Sequence, residues 1–343
     1  MNMPQPQRGA ILILVLWFTA LIGLIVLTLA SETRLSATAA YHNKLNLENR
    51  AKILEAFNVA QMELMVQHMP LPPGQGNTQG DLGEREMQPL YQFDGRPLAT
   101  AYPLPEGVKV RIYNLSGKIN LRTLSPKLMK DILRKRIGDD ESKIDELYST
   151  WQDWIDTDEL KRSNGAEKDY YKGLDPPYEP RNNKLESVEE LRLIKGFDEI
   201  FEGFNLEAAF TVYGNKPRIN PNMITTEALS LIPRIDEEIT DGLMRTRSTE
   251  IYRNSQDFNT FIDYPDVMRE FGSWLDFSNP RGNQYYTIAI ELAGDEGESS
   301  GRAYSVTVKY NGTALPPKIL RVDPYGKLPD ATHEGPARTE KPS

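Results

Sequence analysis

After the first nine residues, the N-terminal part of the chain has a long uncharged, mainly apolar run and continues as a mixture of apolar and polar residues. No charged residue occurs between Ala10 and Ala30, and the segment 31–68 contains neither proline nor glycine. Apolar residues recur in that second segment with helical spacing: Leu35, Leu45, Leu47, Ile53, Leu54, Phe57, Val59, Met62, Leu64, Met65 and Val66. Prolines and glycines from Pro70 onward end the pattern. We therefore predict one helix of about 55 to 60 residues, about 85 Å long at the usual helical rise.

The apolar run is long enough to cross a bilayer, which takes about 20 residues as a helix. Two interpretations remain open. In a cleaved signal peptide, the small residues at Leu29-Ala30-Ser31 would supply the cleavage site. In a retained membrane span, Arg8 would stay in the cytoplasm and the rest of the chain would lie outside it.

The remainder of the chain combines strand-like and helix-like patterns. A loop rich in proline and glycine is predicted at 70–90, and alternating residues predict strands at 91–93, 108–113, 118–121, 285–292, 303–310 and 318–322. Helical patterns occupy 126–136, 141–155, 187–195, 225–232, 235–246 and 257–272. A turn at 294–301 joins two late strands, and the polar residues from Pro324 predict a disordered tail. Strands interrupted by so large a helical block indicate an α+β fold with an inserted α-helical domain.

Composition excludes several classes of function. The 343 residues carry a net charge of −9, which opposes general nucleic-acid binding. The absence of cysteine excludes disulfides and thiolate metal sites, and only three histidines occur: His42, His68 and His333. No nucleophile elbow, phosphate-binding loop or zinc motif appears in the chain. We therefore expect no catalytic residues and no enzymatic activity.

Two internal segments share one pattern, in which Ile-Asn is followed by a hydroxyl residue six positions after the isoleucine. Ile119-Asn120 precedes Ser125, and Ile219-Asn220 precedes Thr225. We interpret both as strand-to-helix joints, because Ser and Thr cap helices and Asn bonds to nearby backbone. The alternative is a DNA-binding helix-hairpin-helix module that would include residues 187–197. The acidic residues that follow this hairpin oppose phosphate binding, so no nucleic acid is expected.

Acidic residues are densest at Asp153, Asp156 and Asp158, with Glu167 and Asp169 following after a short loop. Asp153 and Asp156 are three residues apart and would share a helix face. Several carboxylates on one loop attract a hard cation such as Ca²⁺, whereas a solvated acidic loop is the structural alternative. Aromatic and apolar neighbours favour a packed loop, in which carboxylates need compensation: Trp151, Trp154, Ile155, Tyr170 and Tyr171.

The N-terminal segment resembles a known family. Arg8-Gly9 followed by Ala10-Ile-Leu-Ile-Leu-Val-Leu-Trp-Phe is similar to the cleavage and assembly segment of type IV pilins and type II secretion pseudopilins. The resemblance implies cleavage by a prepilin peptidase between Gly9 and Ala10, and N-methylation of Ala10. Most members carry glutamate as the fifth mature residue, where this chain has Leu14. That departure matches the minor pseudopilin K family of type II secretion.

The acidic region strengthens this resemblance. Asp153-Trp-Ile-Asp156-Thr-Asp158, with Gly165-Ala-Glu167-Lys-Asp169 further on, is similar to the signature region of the minor pseudopilin K family. The resemblance implies structural calcium in the α-domain, with Asp156, Asp158, Glu167 and Asp169 as leading ligands and Asp153 as a further one. It also implies a pilin-like fold, in which the long helix packs on a small antiparallel sheet.

The expected organisation follows from this fold: a leader at 1–9, a transmembrane and assembly segment at 10–30, the rest of the helix at 31–69, the first part of the sheet at 70–124, the inserted α-domain at 125–278, the second part of the sheet at 279–323, and a disordered tail at 324–343. The resemblance implies a subunit of the pseudopilus tip that supports protein export, with minor pseudopilins I and J as partners. Its location would be the bacterial inner membrane, as a single-pass protein with its bulk in the periplasm. The alternatives are a signal-anchored periplasmic binding or hydrolytic protein and the DNA-binding module.

Overall fold

The structure is a computed structural model, and it describes residues 8–68, 93–259, 262, 265–278, 283–293, 302–312 and 315–329. The chain divides into two compact units, residues 1–54 and 55–343. The predicted loop at 70–90 and the predicted turn at 294–301 lie outside the described residues.

The predicted long helix is confirmed. Helix α1 runs from Arg8 to His68 and contains 61 residues. In the first unit, its apolar side chains from Leu12 to Leu29 are exposed. By length and composition alone, α1 qualifies as a helix that crosses a membrane. Hydroxyls inside the apolar run bond to the preceding helical turn, as Thr19 does to the carbonyl of Leu16 at 2.9 Å, so they leave no free donor in apolar surroundings.

The second unit contains the C-terminal end of α1. Ala56, Ala60 and Leu64 are fully buried there, and their spacing of four residues places them on one helix face. Burial of a side chain such as Leu64 contributes about 1.5–3 kcal/mol. At the helix end, a ring nitrogen of His68 lies 2.9 Å from the hydroxyl oxygen of Tyr286. These contacts hold the last turns of α1 in the core of the unit.

Five strands among the described residues form one antiparallel sheet, in the order β1-β2-β5-β6-β7: β1 Asp94–Pro97, β2 Val108–Asn114, β5 Tyr285–Leu292, β6 Arg302–Lys309 and β7 Lys318–Lys327. Val110 pairs with Ile290 in the register of β2 and β5. The pattern at 91–93 was predicted as a strand, but Phe93 is in a turn and residues 91 and 92 lie outside the described part. Successive side chains of a strand point to opposite faces of the sheet. Because four consecutive residues of the central strand β5, 288–291, are buried, both faces of the sheet are covered there.

The residues between β2 and β5 form the inserted helical block. Its α-helices are α2 Pro126–Ile137, α3 Glu141–Ile155, α4 Lys168–Lys172, α5 Phe197–Ile200, α6 Leu206–Ala209, α7 Thr226–Ser230, α8 Glu237–Thr249 and α9 Pro265–Gly272. Short 3₁₀ helices occupy Leu115–Gly117, Glu189–Leu193 and Ser255–Phe258. Trp154, Tyr171 and Trp274 are fully or almost fully buried in one continuous hydrophobic core. The block is therefore an α-domain with a core of its own.

Both Ile-Asn segments lead into a helix, as predicted, although only Ile119 lies in a strand and Ile219 forms an isolated β-bridge with Leu275. The Asn120 and Asn220 carboxamide oxygens each accept a backbone N–H bond from two residues further on, at 3.0 Å in both. The hydroxyls of Ser125 and Thr225 accept a backbone N–H from three residues further on, at 3.4 and 3.2 Å. Each hydroxyl thus caps the helix that follows it.

The predicted strand at 118–121 does not join the five-stranded sheet. Its residues Ile119–Asn120 form β3, which pairs in parallel with β4, Phe210–Thr211. Between β2 and β3 the chain passes through Gly117, where a Cβ would lie 1.9 Å from the carbonyl oxygen of Met223. This close backbone approach requires glycine.

Several predicted helices are shorter than expected. The segment 187–195 contains only a 3₁₀ helix, and 225–232 contains the five residues of α7. The segment 257–272 is split between a 3₁₀ helix and α9, which begins at Pro265. The prediction of one continuous helix at 257–272 was therefore wrong. The physical reason is Pro265, because proline lacks the N–H that a helix interior needs but is well suited to the first turn of a helix.

The prediction of a disordered tail from Pro324 onward was wrong for the first residues of that segment. Pro324 to Lys327 form the end of β7. Leu328 is 7% exposed and packs in a small cluster with Tyr113. This apolar anchor explains why the last strand continues through a polar segment. Residues 330–343 lie outside the described part of the chain.

Candidate functional site

Asp153 and Asp156 lie at the C-terminal end of helix α3. Asp140 caps the first turn of this helix by accepting a backbone N–H bond. Trp154 anchors its last turn, with its ring edge-on to that of Tyr171 at 5.1 Å between centroids. This packing turns Asp153 into the protein interior, where it has no exposed surface. Asp156 is the residue that ends the helix and remains partly exposed.

The loop after α3 returns the chain to Asp153. A Cβ on Gly165 would lie 1.9 Å from the Oδ2 atom of Asp153, so any side chain at this position would displace the carboxylate. Ala166, the next residue, is fully buried. Glu167 follows as the residue before the first turn of α4 and is 6% exposed. The loop thereby brings Glu167 onto the two aspartates.

Three of the five predicted ligands form one cluster. Asp153, Asp156 and Glu167 each offer a carboxylate oxygen, and these oxygens lie within 4.8 Å of one another. Calcium binds oxygen at about 2.3–2.6 Å, so two oxygens on opposite sides of one ion are about 5 Å apart. The spacing of this cluster therefore fits a single hard cation.

The other two predicted ligands lie outside the cluster. Asp158 is exposed, and its carboxylate accepts the backbone N–H of Leu160 at 2.8 Å. Asp169 is exposed in the first turn of α4. Both residues are exposed to solvent, and neither carboxylate belongs to the cluster of Asp153, Asp156 and Glu167.

A basic residue of the same loop, Arg162, was missed by the sequence analysis. Its Nη1 atom donates to the Oδ1 atom of Asp153 at 2.8 Å and also to Asp156. Its backbone N–H lies 3.2 Å from the Oδ2 atom of Asp153. The bonds to Asp153 and Asp156 raise the pKa of Arg162 above its usual value. Arg162 therefore compensates part of the negative charge of the cluster.

The charge of Glu167 is not compensated in the same way. Among the described residues, neither Glu167 carboxylate oxygen has a hydrogen-bond partner, and the buried Oδ1 atom of Asp156 has none either. Burial raises the pKa of Glu167 to about 7, and the negative charges of Asp153 and Asp156 add to this effect. Buried carboxylate oxygens without partners are costly. Orphaned oxygens at this spacing fit a bound divalent cation, which would supply the missing partner.

The segment that the DNA-binding alternative depends on has a structural role. Gly196 adopts a left-handed backbone conformation, with φ of 81°. A Cβ there would lie 2.7 Å from a methyl carbon of Leu147. The turn therefore packs against the core, and Phe197, the residue after it, is fully buried.

The predicted cleavage position lies at the beginning of α1. The helix begins at Arg8, so Gly9 and Ala10 are in its first turn. The side chains of residues 8–11 lie outside the description, and so do residues 1–7 altogether. Leu14 is described, and 59% of its surface is exposed.

Comparisons with known proteins agree with this fold. The family model "Type II secretion system (T2SS), protein K" matches residues 117–201, which include the acidic cluster. A protein named "Type II secretion system protein K" from Pseudomonas aeruginosa is 24% identical over 305 residues, covering 85% of this chain and 86% of the relative. A protein of the same name from Pectobacterium carotovorum is 32% identical over 78 residues, which cover 23% of this chain and 24% of that relative.

The fold is also found in a solved structure. It is a chain from the crystal structure of the GspK-GspI-GspJ complex of the enterotoxigenic Escherichia coli type 2 secretion system. The TM-score is 0.54 at 12% sequence identity, with 84% of this chain and 100% of the other covered. The long helix, the small antiparallel sheet and the inserted α-domain are the elements of a pilin-like fold. By the family model over residues 117–201 and the relatives named above, the chain is similar to protein K, a minor pseudopilin of type II secretion systems.

Proposed function

We propose that this chain is a subunit of the pseudopilus tip that acts in assembly rather than in catalysis. The observation that carries the proposal is Leu14, an exposed apolar side chain where most pilin-like proteins carry glutamate. No acidic residue occurs in the sequence between Ala10 and Glu32. In relatives that have the glutamate, it is expected to pair with the N-terminal amine of a neighbouring subunit. A subunit without this acid has no charge with which to attract a neighbour above it.

Membrane insertion and processing complete the proposal. The prepilin peptidase would cleave between Gly9 and Ala10, and Ala10 would then be N-methylated. Before assembly, the exposed apolar part of α1 would cross the inner membrane once. Arg8 would lie on the cytoplasmic side and the bulk of the chain in the periplasm. This placement is supported by the length and composition of α1.

The proposed partners are the minor pseudopilins I and J of the same secretion system. Support comes from the solved structure with the same fold, which is that of a GspK-GspI-GspJ complex. Co-expression of the three full-length proteins should yield a complex that purifies through a tag on any one of them.

The processing step can be tested on the membrane-extracted full-length chain. N-terminal sequencing and intact mass should give a chain that begins at N-methylated Ala10, whereas Gly9→Val should leave the leader attached. Gly23→Ala is a matched control in the same apolar run, because a Cβ at Gly23 meets nothing within 4 Å. A chain that begins at Met1 or Ser31 would instead support a signal-anchored periplasmic protein.

We also propose that the α-domain holds a structural Ca²⁺ ion with Asp153, Asp156 and Glu167 as side-chain ligands. The support is the spacing of the three carboxylates and the orphaned oxygens of Glu167. Calcium accepts six to eight oxygens, so backbone carbonyls and waters would complete its shell. When bound, the ion would supply positive charge that holds the loop 157–166 against α3. A chelator should lower the melting temperature of the full-length protein in detergent, and an unchanged value would contradict the proposal.

A further inference from the structure

One nitrogen atom of Arg162 bridges two of the three clustered carboxylates. Nη1 lies 2.8 Å from the Oδ1 atom of Asp153 and also donates to Asp156. A cation that coordinates both aspartates would lie between them, in the same region as this nitrogen. The guanidinium group and the cation therefore compete for the same pair of carboxylates.

We propose that Arg162 is an internal counter-ion that exchanges with the divalent cation. In the metal-free protein, its guanidinium group neutralises part of the charge of Asp153 and Asp156. When the cation binds, the guanidinium group leaves the cluster for solvent. This inference rests on the proposed metal site and adds a residue that sets its affinity.

The position of Arg162 suits an exchange. Its side chain is 37% exposed, whereas that of Asp153 has no exposure, so only the guanidinium group can leave without opening the core. The backbone N–H of Arg162 donates to Asp153 independently of the side chain. Departure of the guanidinium group would therefore leave the loop attached to α3.

The charges favour the exchange as well. Two positive groups between the same pair of aspartates repel one another, and this repulsion is stronger away from bulk water. A cation can also satisfy the oxygens of Glu167, for which the described residues offer no hydrogen bond. The monovalent guanidinium group reaches only Asp153 and Asp156 within the cluster.

The exchange predicts opposite effects of removing Arg162 in the two states. In the metal-free protein, Arg162→Gln leaves the buried Asp153 with less compensation and should lower stability. In the presence of Ca²⁺, the same variant removes a competitor and should raise affinity. If Arg162 instead stabilised the cluster both with and without Ca²⁺, its removal would lower both the stability of the metal-free protein and the affinity for Ca²⁺.

Calorimetric titration of the full-length protein in detergent with Ca²⁺ tests the proposal. Arg162→Gln should bind about tenfold more tightly than the wild type, a difference of about 1.4 kcal/mol. With chelator, the variant should melt at a lower temperature than the wild type. Lys161→Gln is the matched control, because it removes one positive charge from the exposed neighbouring position. It should change the affinity much less.

The outcomes separate the two proposals. If the wild type and both variants bind no Ca²⁺, the proposed metal site is wrong. If all bind Ca²⁺ and Arg162→Gln binds equally or more weakly than the wild type, the exchange is wrong. Should Arg162→Gln fail to fold, nuclear magnetic resonance of the wild type decides the question. The Nε–H signal of Arg162 can be assigned by its loss in Arg162→Lys. When Ca²⁺ is added, the chemical shift of this signal should change to that of a solvent-exposed arginine. An unchanged chemical shift in the calcium-bound protein overturns the exchange.

Discussion

The Oδ2 atom of Asp153 lies 1.9 Å from the place that a Cβ would occupy on Gly165. Asp153 is fully buried, and its carboxylate is held by the backbone and side chain of Arg162. The carboxylate cannot move away from a new methyl group without giving up these bonds. The close approach therefore makes Gly165 part of the site, although it carries no functional group.

Gly165→Ala should lower the free energy of unfolding by about 1–3 kcal/mol, the usual cost of overpacking a buried position. Chemical denaturation of the full-length protein in detergent measures this difference. Gly173→Ala is the control, since its Cβ would lie 3.4 Å from the nearest atom, an ordinary contact. That control should stay within about 0.5 kcal/mol of the wild type. Equal effects of the two variants would contradict the described loop geometry.

Glu167→Gln should abolish most of the stabilisation by Ca²⁺ because it removes a charged ligand. The wild type at a calcium concentration 100 times the dissociation constant should gain about 2.7 kcal/mol. In chelator, by contrast, the variant should be at least as stable as the wild type, since it removes a buried negative charge beside Asp153 and Asp156. Melting curves with Ca²⁺ and with chelator check both statements.

Asp169→Asn is the matched control for Glu167→Gln, because Asp169 was also predicted as a ligand but is exposed on α4. It should keep the full calcium effect. A loss equal to that of Glu167→Gln would show that the ligand set extends beyond the clustered carboxylates and would restore the original prediction for Asp169.

Asn220→Ala should destabilise the α-domain by about 1–3 kcal/mol, because it leaves buried backbone groups unsatisfied. Asn220 is 3% exposed, and its Nδ2 atom donates to the carbonyl of Ser278 at 3.0 Å. Its Oδ1 atom accepts the N–H of Asn222 at 3.0 Å. The exposed Asn215, changed to alanine, should cost less than about 0.5 kcal/mol in the same denaturation experiment. Equal losses would mean that the joint does not depend on these bonds.

Local patterns predicted much of the secondary structure. Helix α1 was expected because residues 31–68 lack proline and glycine, and α3 was expected at 141–155, where it is found. The capping roles of Ser125 and Thr225 were also expected, since a cap depends on residues close in sequence. In each of these cases the forces involved act within a few turns of the chain.

Other elements depended on distant partners. Ile119–Asn120 has the composition of a strand, but its partner strand Phe210–Thr211 is distant in the sequence, so no local pattern reveals the pairing. Likewise, β7 continues to Lys327, although the residues from Pro324 are polar. The small cluster that buries Leu328 joins residues from three strands.

The sequence by itself determined the long helix, the α+β class and the pair Asp153 and Asp156, because helical spacing and alternation are local properties of a chain. Only the tertiary structure decided which acids meet. Glu167 joins the cluster while Asp158 and Asp169 face solvent, and Arg162 supplies the counter-charge. The reason is that the path of the loop is determined by packing around Gly165 and Ala166, and such packing depends on residues that are distant in the sequence.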